Sequence, residues 1–448
     1  MKNNENNNGN RLEEANKPYE ISEKLHRFYK GKIQVVPKAP VRSLDDFSYW
    51  YTPGVARPCR LIEADRQKVF DYTNKGNSIA VVSDGTRVLG LGNIGPEAAL
   101  PVMEGKSLIF KYLGGVDAVP MCLQENDLQK LVALVKAMAP NFGGINLEDI
   151  ESPKCYDLLD ILREELDIPV WHDDRQGTAT IILAGVINSF KLVGRDLTEA
   201  KYVLQGAGAS NLAVAELLML LDVPPGNIVL VDSKGILHDQ RKVASNNKLK
   251  AKWARISNKW KLKGQLEAAV EDADILIALS TPGPGIVPPE LVQKMKKDSI
   301  VFACANPVPE IWPWEARDNG AAITATGRSD FANQLNNSLV FPGVFRGALD
   351  VQATTITDEM CVVAARAIAQ RAQEIGLSSD FIVPTMEDEK VMTEVAVAVG
   401  RKAVEFGLAR RELKVEELKA SADRIISSAQ KNVKLMMESK IIPPVPED

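Results

Sequence analysis

In the stretch AKYVLQGAGASNLAVAELLMLLDV (residues 200–223) an apolar strand runs into Gly206-Ala207-Gly208 and an apolar helix leaves it. The next strand, NIVLVD, closes at Asp232, 24 positions beyond Gly208. Strand, glycine turn, helix and strand within about thirty residues make one βαβ unit of a doubly wound parallel sheet, and few other folds accommodate that succession. Gly206 permits the tight turn, and Gly208 lets the backbone come close to a pyrophosphate. Ala209, Ser210 and Asn211 open the helix, whose free N–H groups and positive dipole end favour an anion.

Dinucleotide binding is the expectation this raises. The third position of the fingerprint, usually glycine for close helix–strand packing, is Asn211. A glycine-rich turn serving another ligand therefore stays open as an alternative. Asp232 is placed to hydrogen-bond the adenosine ribose hydroxyls and, by charge, favours NAD over NADP. Lys248, Lys250 and Lys252 follow soon after. They are either partners for an NADP 2′-phosphate or a solvated basic helix face.

The same alternation runs through the first half. IAVVSDG (79–85), DAVPMCL (117–123), GGINLED (143–149) and IPVWHDD (168–174) read as buried strands, the last two running into carboxylates. DLQKLVALVKAMAP (127–140) and KCYDLLDILREELD (154–167) read as helices. Beyond Gln176, TATIILAGVINSFKLVG (178–194) is a long apolar helix, and DADILIALS (272–280) and DSIVFACANP (298–307) are further buried strands. Pro37, Pro40 and Pro53 make residues 35–59 an extended or looped segment. The expected fold class is α/β: an N-terminal α/β domain over 21–176, a Rossmann-type doubly wound domain over 177–410 and a helical C-terminal segment over 411–448. An Asn-rich tail over 1–20 reads as solvated and disordered.

Composition removes whole classes of function. At 448 residues the chain can bury two or three cores without disulfides. Its 54 Lys and Arg against 59 Asp and Glu leave a formal charge of −5, not the basic excess of a nucleic-acid binder. Cys59, Cys122, Cys155, Cys304 and Cys361 are odd in number and form no C-x-x-C pair, which reads as reduced, cytoplasmic usage. Three histidines give no basis for a His-rich metal site. No apolar run approaches the ~18 residues of a membrane helix, and the N-terminus carries neither an apolar signal core nor a transit pattern. The expectation is a cytoplasmic protein with no membrane or nucleic-acid partner.

Glu148-Asp149 and Asp173-Asp174 close two expected strands, where open α/β sheets bind ligands. Two carboxylate pairs brought together repel unless a divalent cation neutralises them, and oxygen ligands suit Mg2+ or Mn2+ over zinc. Acidic pairs are also commonly helix caps or solvated surface. Tyr51 in YTPGV and Lys106 in PVMEGK are, taken singly, a packing tyrosine and a solvated lysine. Between them Gly85-Thr-Arg87-Val-Leu-Gly90-Leu-Gly92-Asn-Ile-Gly95 holds four glycines in eleven residues. Arg87 there is either a fork for a ligand carboxylate or half of a structural ion pair.

Taken together, FYKGKIQVVPK, SLDDF…YTPGVA, VLGLGNIGPEAALPVMEGK, FGGINLEDIESPKC, IPVWHDDRQGTA, GAGAS, VDSKG, FACANPVPEI and GRSD…NQLNNSLVFPGVFRGALD closely resemble the malic enzyme family, of the short prokaryotic type. They span roughly residues 28–350, in the family's order. The resemblance implies oxidative decarboxylation of L-malate to pyruvate and CO2 with reduction of NAD, NADP being the alternative cofactor, and a need for Mg2+ or Mn2+. In the family's pattern Glu148, Asp149 and Asp174 are the metal ligands. Lys106 matches the general base, Tyr51 the general acid and Asp173 the carboxylate that orients the lysine. Arg87 matches the arginine holding a malate carboxylate, and Asn306 and Asn337 match asparagines lining the substrate and nicotinamide site. A homodimer or higher homo-oligomer is implied, with Tyr51 able to serve a neighbour's site.

Malolactic enzyme, converting malate to lactate with bound NAD, uses the same residues, although this chain is short for that branch. An amino-acid or folate dehydrogenase of similar plan is disfavoured by the acidic constellation. A non-catalytic nucleotide-binding sensor is disfavoured by the intact Tyr51, Lys106 and acidic set.

Overall fold

The computed structural model describes residues 18, 21–243 and 247–446; apart from Pro18, the tail expected over 1–20 lies outside the described residues. Two sheets carry the fold. The first holds β1 (Ser78–Ser83), β2 (Asp117–Cys122), β3 (Gly144–Leu147) and β4 (Val170–His172), all parallel, in the order β2-β1-β3-β4. The second holds β5 (Tyr202–Gln205), β6 (Ile228–Asp232), β7 (Gly235–Ile236), β8 (Ile275–Ala278), β9 (Ser299–Ala303) and β10 (Ala321–Thr326), in the order β10-β9-β8-β5-β6-β7. All its pairings are parallel except that of β6 with β7. This is the mixed α/β architecture with a doubly wound nucleotide-type sheet expected from the sequence.

In both sheets the strand order reverses at one point, between β1 and β3 in the first and between β5 and β8 in the second. Ligands of open α/β sheets bind beyond the carboxyl ends of strands at such a reversal. The loops there carry Arg87 after β1, Glu148 and Asp149 after β3, Gly206 and Gly208 after β5, and Pro282 after β8.

The period of two along each strand sorts the core. Tyr202 and Leu204, Ile228 and Leu230, and Ile275 and Ile277 pack into one large cluster that also contains Ile79, Leu147 and Trp171 of the first sheet. Val203, Val229 and Leu276 point to the opposite face, into a smaller cluster with Val270 and Val301. The helices begin and end at recognisable residues. Asp127 accepts the N–H of Lys130 to start Leu128–Met138, and Gly115 ends Pro96–Gly114 in the left-handed region at φ +62°. Phe341–Asp350 and Val415–Glu438 pack back on Pro96–Gly114, so C-terminal residues complete the first half.

Three features differ from the sequence reading. Residues 35–59 are not wholly extended: Phe47–Trp50 is a helical turn, and a helix begins at Ala56 and runs to Ala64. The proline ring of Pro53 stands ahead of that helix, where a missing N–H costs nothing. β10 was missed because its alanines and threonines make no apolar run. Finally, Asp173–Val193 passes the length and hydropathy test for a membrane span when scattered polar residues are allowed, yet 72% of that stretch is buried inside the protein. It is a core helix, apolar all round because protein surrounds it.

Candidate active site

Lys106 is the centre of the buried polar cluster. It comes from the middle of Pro96–Gly114 and is only 8% exposed. Its Nζ lies 2.5 Å from Asp173 Oδ2, 2.9 Å from Glu148 Oε1 and 4.3 Å from the centre of the Phe341 ring. Burial alone would pull the amine down. The charges of Asp173 and Glu148 outweigh it and hold its pKa above the ordinary lysine value. Asp173 is itself fixed, because its other oxygen accepts the indole N–H of Trp171 at 3.0 Å.

Glu148, Asp149 and Asp174 each offer a carboxylate oxygen, and the three oxygens lie within 4.8 Å of one another. Asn146 donates to Glu148 Oε2 at 2.9 Å, and the Asp149 N–H donates to Asp174 Oδ2 at 2.8 Å. Asp149 Oδ2 is buried without a partner. Burial raises the Glu148 carboxyl well above its usual range, with Lys106 opposing and the neighbouring aspartates adding to the rise. Burial, then the charge of Asp174, lifts Asp149 to about 8. An all-oxygen set with an orphaned buried acceptor and mutual repulsion fits a hard divalent cation. Asp173, next in sequence to Asp174, is engaged by lysine and tryptophan instead.

The backbone sets these positions. Asp173–Gly177 forms one π-type turn, an irregularity frequent at functional sites, and it sends the adjacent Asp173 and Asp174 to different partners. A Cβ on Gly177 would stand 2.0 Å from Asp173 Oδ1 and 3.1 Å from the Cβ of Asn337. Arg87 is exposed, its N–H donates to the Asp149 carbonyl at 3.0 Å, and its guanidinium makes no ion pair among the described residues. That removes the structural ion-pair reading and leaves the fork open for a ligand carboxylate.

On the nucleotide side, Gly206 has φ +98°, and a Cβ there would meet the Leu279 carbonyl at 2.4 Å. Gly208 faces open space, as close approach of a phosphate requires. Asn211 compensates for the absent glycine: its amide donates to the carbonyls of Gln205 and Gly206, both at 2.8 Å, and ties the turn down. The Ser210 hydroxyl donates to the Asp174 carbonyl at 2.7 Å, joining this turn to the acidic cluster. Ala209 starts the helix Ala209–Met219.

Asp232 is not a free ribose hook. It accepts two hydrogen bonds from Arg241, at 2.6 and 2.7 Å, and pairs with Lys250. Burial alone would raise its pKa, but these cations hold it below the usual range. The expected repulsion of a 2′-phosphate is thereby offset. Of the three lysines noted in the sequence, Lys250 is the one that reaches Asp232.

Tyr51 is not brought to Lys106. It is 69% exposed, and its hydroxyl has no hydrogen-bond partner among the described residues.

Residues 30–163 match the family model of the malic enzyme N-terminal domain, and residues 175–404 match that of the malic enzyme NAD-binding domain. A Bacillus subtilis (strain 168) protein named bifunctional malic/malolactic enzyme is 48% identical over 394 residues, which is 88% of this chain and 95% of that one. The chain belongs to the malic enzyme family. A protein of Geobacillus stearothermophilus named NAD-dependent malic enzyme is also 48% identical, over 85% of this chain and 78% of its own length. The crystal structure of Entamoeba histolytica malic enzyme superposes with a TM-score of 0.93 at 44% identity, covering 96% of this chain and 90% of that one. Asp173 and Asp174 fall between the two matched ranges, at the seam of the malic enzyme halves.

Sequence reasoning did not single out Trp171, Asn146, Phe341 or Arg241. Trp171 was available as the residue two before Asp173, on the strand that runs into it. Nothing in the sequence pairs Arg241 with Asp232, because a loop brings them together.

Proposed function

We propose that this malic enzyme oxidises and decarboxylates L-malate to pyruvate and CO2, reducing NAD and accepting NADP. The convergence of Glu148, Asp149 and Asp174 beside the Lys106–Asp173 pair carries this reading. Glu148, Asp149 and Asp174 would hold Mg2+ or Mn2+, and the turn from Gly206 to Asn211 would hold the nucleotide, with the Asp232–Arg241–Lys250 trio at its ribose end. When bound, the cation supplies Lewis-acid stabilisation of charge on substrate oxygens and the nucleotide supplies the hydride acceptor. Arg87 grips a malate carboxylate. Lys106 takes the hydroxyl proton as the neutral amine, a form favoured once cation charge at Glu148, Asp149 and Asp174 offsets the carboxylates that hold it protonated, and Asp173 orients it. Asn306 and Asn337 line the substrate and nicotinamide space, and Tyr51 returns a proton to C3 of the decarboxylated product.

Tyr51 acts in the site of a second copy. Its own arm is exposed at Val35, Leu44, Tyr49 and Trp50. A groove of 2160 Å3, away from the chemistry, is lined by Ile21, Val36, Val119, Met436 and Ile441 of the same chain. A homodimer in which arms cross covers this apolar surface and completes both sites. The location is the cytoplasm, in keeping with five cysteines that are all free.

With Asp232 matched by two cations, the trio carries one net positive charge, so either cofactor is accommodated. Malate oxidation is measured at 340 nm with NAD and with NADP, each with Mn2+ and with a strong chelator. Mn2+-dependent NADH formation is expected, and full activity in chelator would overturn the metal assignment. The name of the Bacillus subtilis relative favours malolactic conversion as a second reading. Because this chain spans 95% of that relative, its length does not count against the second reading. Lactate formed without net NADH would select it.

A further inference from the structure

The loop Gly85–Gly95 that carries Arg87 is braced from within. Gly85 O accepts the N–H groups of Ile94 and Gly95, and Val88 pairs with Gly92. Its base is pinned as well: Asp84 receives the N–H and hydroxyl of Thr86 and a buried ion pair from Lys154 at 2.5 Å. Across the cleft, the loops after β8 and β9 are stapled by Glu310, which is wholly buried. Its carboxylate accepts the N–H of Ser280 at 2.7 Å and of Ala305 at 3.1 Å.

The two braced units meet at Gly90. A Cβ built there would lie 2.8 Å from Pro282 Cγ, 2.9 Å from the Asn306 carbonyl oxygen and 3.2 Å from Pro307 Cδ. The backbone at Gly90 is not in the left-handed region, so alanine is conformationally acceptable and the objection to it is purely steric. Packed units of this kind transmit small displacements instead of absorbing them.

We propose that Gly90 is a positioning residue that seats the Arg87 loop directly on the Asn306 loop, so that filling the malate side of the cleft tightens nucleotide binding on the other side. This rests on the malate-oxidising reading. Coupling of that type makes each ligand strengthen the other by the same factor, typically about 5- to 150-fold.

The experiment titrates NADH fluorescence on the full chain with and without L-malate plus Mn2+, a combination that cannot turn over. The native protein is expected to bind NADH at least about fivefold tighter in the presence of malate and Mn2+. In Gly90→Ala that ratio falls to about one, while NADH affinity alone stays within about twofold and the melting temperature is held. Leu91→Ala, at an exposed position in the same loop, keeps the native ratio. A Gly90→Ala protein that retains the native ratio, or a Leu91→Ala protein that loses it, overturns the proposal. Should Gly90→Ala fail to fold, Pro282→Ala removes the other side of the contact and must lower the ratio. A native protein that oxidises malate yet shows no enhancement overturns this coupling and leaves the function standing; one that does not oxidise malate removes the function itself.

Discussion

Removing the Lys106 amine leaves the buried Glu148 and Asp173 carboxylates without their shared cation. Deleting one partner of a buried ion pair costs about 3–5 kcal/mol, because the remaining charge is uncompensated. Lys106→Ala is therefore expected to lower kcat by about 10²–10⁴ and also to melt earlier without metal. Mn2+ then raises its melting temperature by more than it raises that of the native protein, since added positive charge replaces what was lost; an equal rise in both would refute the shared pocket. Gly177→Ala tests Asp173 without touching it. The new methyl drives the carboxylate off the amine, and kcat is expected to fall about 10²-fold with little change in KM. Single residues were legible to different depths. The acids stand at the ends of expected strands, whereas Lys106, taken singly a solvated lysine, was grouped with them only through the family resemblance. The engagement of Asp232 by Arg241 and Lys250 was not expected, because ion pairs between a strand end and a loop follow no spacing rule.

Elements show where local signals suffice. Strand ends and the helix over 127–140 are written in contiguous residues and were foreseen, whereas Pro96–Gly114, which carries Lys106 and stops at Gly115, was not. Nor was β10, since its place in the sheet comes from β9 alongside it and not from its own alanines and threonines. The start of Val391–Glu405 offers a test at this scale. Asp388 accepts the N–H of Lys390 at 3.1 Å and of Val391 at 2.8 Å, and pairs with Arg371 at 2.8 Å. Burial pushes its pKa up, but these donors outweigh it and leave the carboxyl below its ordinary value. A depressed acid stabilises the fold above the ordinary carboxylate pKa, about 3.9, and loses that contribution as pH falls through the folded value. Asp388→Asn is expected to cost about 1 kcal/mol at neutral pH. Thermal melts from pH 7 to pH 3 should show the native and variant curves converging at the acid end. Curves that stay parallel would remove Asp388 from this role.

At the scale of the whole molecule, the sequence named the dimer only through resemblance, because an interface between copies has no periodic signature. The exposed arm around Tyr51 now gives it a physical test. Protomers carrying Tyr51→Phe are mixed with protomers carrying Lys106→Ala. If the tyrosine crosses, half of the randomly paired dimers have one intact site of two, and about a quarter of native activity returns. A mixture as inactive as its parents places the tyrosine in its own chain's site. The two-sheet plan was readable from alternating strands and helices, whereas the docking of Phe341–Asp350 and Val415–Glu438 on Pro96–Gly114 was not, being a contact between distant stretches.

The largest apolar cluster runs without a break from Ile79 through Ile181 to Phe302. Neither half closes that cluster by itself. A chimera that grafts the nucleotide half of another dehydrogenase onto this scaffold must bring along a matching Thr178–Val193 helix, or the recipient will be left with an oily scar where that rod belonged.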